Sequence, residues 1–133
     1  MGSYRILVVA ALIERDGLIL IGQRQANDRH GLKWEFPGGK VEKLETPRAA
    51  LKRELREELG IDAVIGHEVA RYEHTYPERT TILLIFHSVK SFAGEVQNLS
   101  FERLQWETRK NLPQYDFLDG DTDFVRRLAL GQL

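Results

Sequence analysis

Residues 47–59 (PRAALKRELREEL) constrain the fold of this chain most, because they predict a helix with two clearly marked ends. Thr46 is a suitable N-cap, Pro47 suits the first helical position, and Gly60 suits the left-handed residue past the end. At about 100° per residue, every fourth position returns to nearly the same side of the helix. One side is apolar and consists of Leu51, Leu55 and Leu59. The helix is therefore expected to bury this stripe against a core.

The adjoining side of the same helix is crowded with charge. It carries Arg53, Glu54, Glu57 and Glu58. One interpretation is a solvated surface, in which Arg53 and Glu57 form an i,i+4 ion pair worth about 0.2–0.5 kcal/mol. Against it, Glu54 and Glu58 repel each other at the same spacing, in turns where the helix dipole does not favour negative charge. The other interpretation is a site for a divalent cation such as Mg²⁺, which prefers oxygen ligands shared between carboxylates and substrate phosphates.

Composition limits the class of protein. The chain has 133 residues, of which 42% are hydrophobic, and this predicts one globular domain over residues 1–133. A net charge of −1 argues against a broad nucleic-acid-binding surface. The sequence shows no apolar run long enough for a membrane span, no secretory leader and no cysteine. We therefore expect a cytoplasmic protein without a nucleic-acid polymer, a membrane or an obligate protein as its partner.

Strand and helix patterns alternate along the rest of the chain. Two β-hairpins are predicted, residues 4–13 with 18–24 and residues 63–76 with 79–90. A further strand and a closing helix are expected at residues 101–106 and 121–130. Strands and helices in mixed order within one core predict an α+β or α/β class with a sandwich-like layout.

The loop that precedes the charged helix contains Pro37-Gly38-Gly39, at the end of a short extended stretch. Glycines there let the backbone turn sharply or approach a ligand, so the carbonyl of Gly38 could join a metal shell. This loop is not a P-loop, because Lys40 is followed by Val41 instead of Ser or Thr. Phosphate would have to be held through the metal and through basic side chains.

A longer pattern joins this loop to the helix. Residues 39–61 contain Gly39, Glu45, Arg53-Glu54-Leu55, Glu57-Glu58 and Gly60-Ile61 at the spacing of the complete Nudix box. The segments EFPGGK, YPER and LPQYDFLDGD are also similar to the MutT branch of that family. The chain therefore resembles the MutT-like nucleoside triphosphate pyrophosphohydrolases. The resemblance implies one Nudix domain over the whole chain, with the Nudix fold, in which a mixed β-sheet is sandwiched between helices as an α/β/α sandwich.

The resemblance also implies roles for individual residues. The metal, Mg²⁺ with Mn²⁺ as the alternative, would be held by the Gly38 carbonyl and by Glu54, Glu57 and Glu58. Catalysis would involve Arg53, Glu54 and Glu57, with Arg53 orienting Glu54, the general base proposed in some members. Which glutamate takes the proton stays open. The substrate would be bound by Arg24, Phe36, Lys40, Arg79 and Asp121.

Departures from the MutT pattern leave alternatives open. Ser100 stands where the branch often has a further glutamate, and Glu102 could substitute if this segment is extended. Asp121 stands where MutT has an asparagine that reads the oxidised base. An ionised Asp121 could accept from the N7 hydrogen of 8-oxoguanine or from the exocyclic amine of cytosine, or it could merely cap the last helix. Phe36 could be a base platform or a core aromatic.

Three functional hypotheses follow. The first is hydrolysis of a nucleoside triphosphate to a monophosphate and pyrophosphate, with oxidised dGTP ahead of CTP, dCTP and 5-methyl-dCTP, as in sanitation of the nucleotide pool. Cleavage of a nucleotide sugar or a dinucleotide is a weaker reading, because the chain has little beyond the minimal domain. The third is a sensor with the Nudix fold but without catalysis. Such a protein is expected to lack at least one of Glu54, Glu57 and Glu58, and this chain has all three.

Overall fold

The computed structural model describes residues 4–133 and divides the strands between two four-stranded sheets. The first sheet has the order β5-β1-β7-β6, where β1 is Tyr4–Leu12, β5 is Gly38–Lys40, β6 is Asp62–Thr75 and β7 is Thr80–Ala93. The second contains β2 (Glu14–Arg15), β3 (Leu18–Gln23), β4 (Trp34–Glu35) and β8 (Arg103–Thr108). In the first sheet β1 is parallel to β7, so this sheet is mixed, as the sequence predicts.

Helix α1, Pro47–Leu59, begins and ends at the predicted residues. The hydroxyl of Thr46 accepts a hydrogen bond from the backbone N–H of Ala49 at 3.1 Å, and Gly60 takes the left-handed conformation at φ 68°. The apolar stripe of α1 is fully buried. Helix α2, Thr122–Ala129, confirms the predicted closing helix. Across residues 4–133, neither helix has the length and hydrophobicity that a transmembrane span requires.

The core consists of two clusters that lie on opposite faces of β1. Val9, Ala11 and Ile13 are buried in the same cluster as the leucines of α1. Ala10 and Leu12, which point to the other face of the strand, belong to the cluster that contains Phe124 of α2. The helices therefore cover the two sides of the β-structure, which confirms the α/β/α sandwich.

One of the two predicted hairpins is wrong in its pairing. β1 does not pair with β3, because β1 lies between β5 and β7 in the first sheet while β3 belongs to the second. The hairpin partner of β3 across the turn is instead β2, whose two residues pair with Leu18 and Ile19. β1 carries buried side chains on both faces, which suits a central strand, and the chain crosses to the second sheet at Ile13. The second hairpin is confirmed, since β6 and β7 pair antiparallel from Thr75 and Thr81 to Asp62 and Ala93.

Candidate active site

A cavity of about 260 Å³ opens between the first sheet and the loops that surround β4 and β5. Its apolar wall includes Val8 of β1 and Ile82 and Leu84 of β7. Six of the residues singled out in the sequence also line it: Arg24, Phe36, Gly38, Lys40, Glu58 and Asp121. The fold thus brings together segments that are far apart in the chain.

Carboxylates gather where α1 meets the glycine loop. Glu58 accepts a hydrogen bond from the backbone N–H of Gly38 at 2.9 Å. Burial, and then the charges of Glu35 and Glu54, raise the pKa of Glu58 to about 9. Burial also raises the pKa of Glu54. Glu54 lies against Gly39, since a Cβ built on that glycine would come within 2.5 Å of the Glu54 Cδ. Ionisation of these two acids is therefore disfavoured, and a further positive charge beside them would favour it.

Arg53 connects α1 to the preceding loop. Its guanidinium donates to both carboxylate oxygens of Glu45 at 2.8 and 2.9 Å, and to the backbone carbonyl of Lys40 at 3.2 Å. The same group donates to Glu54 at 2.9 Å and to Glu57 at 3.3 Å. Arg53 therefore orients the Glu54 carboxylate, and its paired bonds to Glu45 brace the segment that precedes α1. Glu57 extends outward, with 59% of its side chain exposed.

Asp121 lies in another part of the cavity wall, where it immediately precedes α2. Only 5% of the residue is exposed. Asp121 stands at the N-cap position of α2, but its side chain makes no capping hydrogen bond, so capping does not engage the carboxyl. No side-chain polar atom in the described part of the chain is both fully enclosed and without a partner, so the carboxyl of Asp121 opens onto the cavity. Burial and the charge of Glu35 raise the pKa of Asp121 well above its ordinary value.

Glu35 is a cavity residue that the sequence analysis missed. Its carboxylate is paired with the guanidinium of Arg24 at 3.2 Å. Burial raises the pKa of Glu35 to about 6, although the positive charge of Arg24 acts to lower it. The only sequence signal is its position beside Phe36 in the EFPGGK segment. Three more lining residues, Arg29, His30 and Tyr76, were likewise not assigned, and His30 stacks on Tyr76 with 5.2 Å between ring centroids. Arg29, His30 and Tyr76 lie in loops, and the hydrophobic periodicity of a sequence does not predict where loop residues lie in the fold.

The remaining predicted residues differ in where the structure places them. Phe36 reaches the cavity but is only 3% exposed and stacks on Phe117 with 5.4 Å between ring centroids, which makes it a core aromatic with one edge on the cavity. Arg79 is exposed in the turn between β6 and β7 and is not part of the cavity wall formed by the described residues. Glu102 is exposed and precedes β8, which begins at Arg103. Residues 100–102 are therefore not extended as a strand, and the condition under which Glu102 could replace the glutamate missing at Ser100 is not met.

Comparison with known protein families decides what kind of protein carries this arrangement. The NUDIX domain matches residues 3–128. The chain belongs to the Nudix family. A CTP pyrophosphohydrolase of Escherichia coli strain K12 is 47% identical over 115 residues, which cover 86% of this chain and 84% of that protein. An 8-oxo-dGTP diphosphatase of Haemophilus influenzae is 35% identical over 126 residues, which cover 93% and 92% of the two chains.

Solved structures support the same assignment for the fold of this Nudix protein. The solution structure of the Escherichia coli ORF135 protein superimposes with a TM-score of 0.86 at 40% identity, and the match covers 98% of this chain and 91% of that one. The protein is thus a Nudix hydrolase of the MutT type, a pyrophosphohydrolase that acts on nucleoside triphosphates. This confirms the enzyme class that the sequence resemblance implies.

Nudix hydrolases generally use divalent metal ions, and the donors on α1 suit one. Within residues 4–133, no three Asp, Glu or His side chains converge tightly enough to hold a metal by themselves. A hard cation such as Mg²⁺ typically takes only one or two carboxylates from the protein and completes its shell with water and substrate phosphates. The partly buried carboxyls of Glu54 and Glu58, which lie close to the backbone of Gly38 and Gly39, fit that incomplete kind of site.

Proposed function

We propose that this Nudix hydrolase is a Mg²⁺-dependent pyrophosphohydrolase of cytosine nucleoside triphosphates. The observation that carries the proposal is the buried carboxyl of Asp121, which opens onto the cavity and has no partner among the described side chains. A carboxyl oxygen in that position can accept a hydrogen bond from the exocyclic amine of cytosine. The 47% identity to a CTP pyrophosphohydrolase supports this choice, and for that reason we propose cytosine ahead of the oxidised guanine that the sequence resemblance puts first.

The proposed chemistry is hydrolysis of the anhydride bridge between the α and β phosphates. The oxygen of a water molecule attacks the α or the β phosphorus, the P–O bond from that phosphorus to the bridging oxygen breaks, and nucleoside monophosphate and pyrophosphate are released. A carboxylate of the α1 cluster accepts a proton from that water, and Glu54 is best placed because Arg53 holds it at 2.9 Å. A bound divalent metal would neutralise charge on the phosphate oxygens and acidify water, held by the Gly38 carbonyl, Glu54, Glu57 and Glu58.

Substrate would be positioned by cations and by the walls of the cavity. Lys40 and Arg24 line it and can approach phosphate oxygens or the ribose, while Phe36 closes one side as part of the core. Arg79 could act only from outside the cavity wall, so its predicted contact requires the substrate to extend toward the β6–β7 turn. The proposal therefore assigns Arg79 to the part of the nucleotide that remains exposed.

A second candidate substrate is 8-oxo-dGTP. It is favoured by the 35% identity to an 8-oxo-dGTP diphosphatase over nearly the whole of both chains. Asp121 again carries the argument, because 8-oxoguanine has a hydrogen on N7 that ordinary guanine lacks, and a carboxyl oxygen can accept from it. Both candidates therefore place the base against the same side chain.

The test is release of pyrophosphate with Mg²⁺ from a panel of CTP, dCTP, 5-methyl-dCTP, 8-oxo-dGTP and dGTP, compared by kcat/KM. The proposal predicts the highest value for a cytosine nucleotide. A clear preference for 8-oxo-dGTP over every cytosine nucleotide would replace it with the second candidate. Binding of nucleotides without release of pyrophosphate under any metal condition would instead indicate a sensor and would overturn the catalytic assignment.

A further inference from the structure

The carboxyl of Asp121 is buried, and it forms neither an ion pair nor a hydrogen bond with the side chains that the structure describes. Charged or titratable side chains line the same cavity from every element around it: Arg24, Arg29, His30, Glu35, Lys40, Glu58 and Tyr76. The negative charge of Glu35 opposes ionisation of Asp121, and Asp121 in turn opposes ionisation of the Tyr76 hydroxyl, whose pKa is raised by burial and then by the charge of Asp121. Arg24, the cation of the adjoining loop, is already engaged with the carboxylate of Glu35 at 3.2 Å and with the backbone carbonyl of Arg29 at 2.8 Å.

An ionised carboxylate is unstable in such a place. Burial removes its hydration, and the neighbouring carboxylate repels it, so both effects favour the protonated form. The direction of the pKa shift of Asp121, well above its ordinary value, has these same two causes. A neutral carboxyl also differs chemically from the acceptor assumed in the sequence analysis, because it has one donor beside one acceptor.

We infer that Asp121 recognises the base as a neutral carboxylic acid, which donates one hydrogen bond through its O–H and accepts another at its carbonyl oxygen. The inference rests on the proposed function to the extent that a nucleobase must enter this cavity. It goes further by specifying the pattern that the base must present, namely a hydrogen-bond donor next to an acceptor. In this respect Asp121 resembles an asparagine side chain more than an ionised aspartate.

This pattern defines a class of substrates. Cytosine presents the amine on C4 as a donor next to N3 as an acceptor, and 8-oxoguanine presents the N7 hydrogen next to O6. Ordinary guanine presents two acceptors, N7 and O6, on the corresponding edge, and so leaves the carbonyl oxygen of Asp121 unpaired. One neutral carboxyl thus accounts for binding of both candidate bases at a single site, with rejection of that edge of ordinary guanine.

The decisive experiment removes only the acceptor from the base. In 3-deaza-CTP a C–H group replaces N3 while the exocyclic amine is kept. A neutral Asp121 loses the partner of its O–H, and kcat/KM for 3-deaza-CTP should be lower than for CTP by about tenfold or more. For an ionised Asp121, the lone pair on N3 of CTP would repel the carboxylate, and 3-deaza-CTP lacks that lone pair. A kcat/KM for 3-deaza-CTP equal to or higher than that for CTP would therefore overturn the inference, while the proposed function would stand.

Variants assign the effect to this side chain. In Asp121→Ala the preference for CTP over 3-deaza-CTP should fall to nearly one. Asp119→Asn is the matched control, because Asp119 is an exposed acid two positions earlier and should keep the wild-type ratio. A preference that survives in Asp121→Ala would show that another group reads N3, and would contradict the inference.

Binding measurements separate failure of the inference from failure of the proposed function. Titration calorimetry with CMP and 3-deaza-CMP should reproduce the ratio without any turnover. If cytosine nucleotides are not substrates, the proposed function is wrong, and the inference is then tested with 8-oxo-dGTP against its analogue without O6. A loss of about tenfold in kcat/KM with that analogue supports the neutral carboxyl, whereas an unchanged value overturns it.

Discussion

Glu57 and Glu58 are neighbours in the chain, but their surroundings give them different properties. Glu57 extends into solvent with 59% of its side chain exposed, whereas Glu58 is partly buried and bonded to the backbone N–H of Gly38. A change at Glu57 can therefore alter the charge of the proposed metal site with little effect on packing. A change at Glu58 alters the glycine loop as well. Glu57 is for this reason the better residue with which to test the metal assignment.

Glu57→Gln should lower kcat with Mg²⁺ by about 100-fold or more, because even partners in the outer shell of a metal typically contribute 10–100-fold. Its melting temperature without metal should stay near that of the wild type, since the side chain is exposed. Pyrophosphate release and thermal unfolding measure the two effects. Glu102→Gln is the matched control, as an exposed acid outside the cavity that should retain activity. Full activity in Glu57→Gln would remove Glu57 from the metal site.

At the scale of elements, Pro37 and the short strand β5 that follows it shape the site, and the two glycines of β5 are constrained in different ways. A Cβ on Gly38 would lie 2.0 Å from the carbonyl oxygen of Val9, which belongs to the backbone of β1 and cannot move aside. A Cβ on Gly39 would instead meet the end of the Glu54 side chain, which can move. The first glycine is required by packing, and the second leaves room for a carboxylate of the proposed site.

Gly38→Ala should therefore destabilise the protein by about 1–3 kcal/mol or more, the usual cost of overpacking. Gly39→Ala should unfold close to the wild-type midpoint but lose most of its kcat, because its methyl group displaces Glu54. Urea denaturation and steady-state kinetics distinguish the two variants. Equal losses of stability in both, or normal kinetics in Gly39→Ala, would contradict this division of roles.

The bond from Arg53 to Glu45 is the other tie between α1 and its loop, and it predicts a pH dependence. Hydrogen bonds from Arg53 and from the backbone of Glu42 lower the pKa of Glu45 from 4.5 to about 2. A lowered pKa in the folded state means that the stabilisation is complete above about pH 4.5 and is lost as the pH falls toward 2. Glu45→Gln should thus lower the melting temperature at neutral pH, and the difference from wild type should shrink over that acidic range.

The measurement is thermal unfolding of both proteins in buffers between neutral pH and about pH 2, with Glu42→Gln as the control. Glu42 is 67% exposed and lies 3.7 Å from the guanidinium of Arg53, so its substitution should change the melting temperature little. A difference between wild type and Glu45→Gln that stays constant with pH would show that the carboxylate charge of Glu45 does not stabilise the loop.

On the scale of the whole molecule, two clusters of buried side chains hold the helices against the sheets, while the carboxylates opposite the glycine loop work against this stability. Phe86 of β7 stacks on Phe124 with 3.7 Å between ring centroids and so fixes α2, which places Asp121 at the cavity. The leucines of α1 fix the opposite face and with it Glu54 and Glu58. Packing thus offsets the repulsion among acids that function requires.

A cation that binds these acids only in the folded state should stabilise the entire domain. By mass action the gain is about 2.7 kcal/mol when the free cation exceeds its Kd 100-fold. The melting temperature should rise as Mg²⁺ is added, and by less in Glu57→Gln, whereas K⁺ at matched ionic strength should have little effect. An equal rise with Mg²⁺ in wild type and variant would place the bound ion elsewhere.

The sequence by itself determined the features that depend on local spacing. Helix α1 begins and ends at the predicted residues because Thr46, Pro47 and Gly60 act within one turn of the backbone they terminate. Glu54 and Glu58 share a side of that helix for the same local reason. The β6–β7 hairpin was predictable because its strands are joined by a short turn.

Only the tertiary structure decided the features that depend on distant parts of the chain. β1 is held between β5 and β7 instead of beside β3, and this pairing follows from burial on both of its faces. Glu35 and Asp121 line one cavity, although β5, α1, the β6–β7 hairpin and β8 separate them in sequence. Their raised pKa values follow from burial, which is a property of the assembled domain, so no spacing of residues could have revealed them.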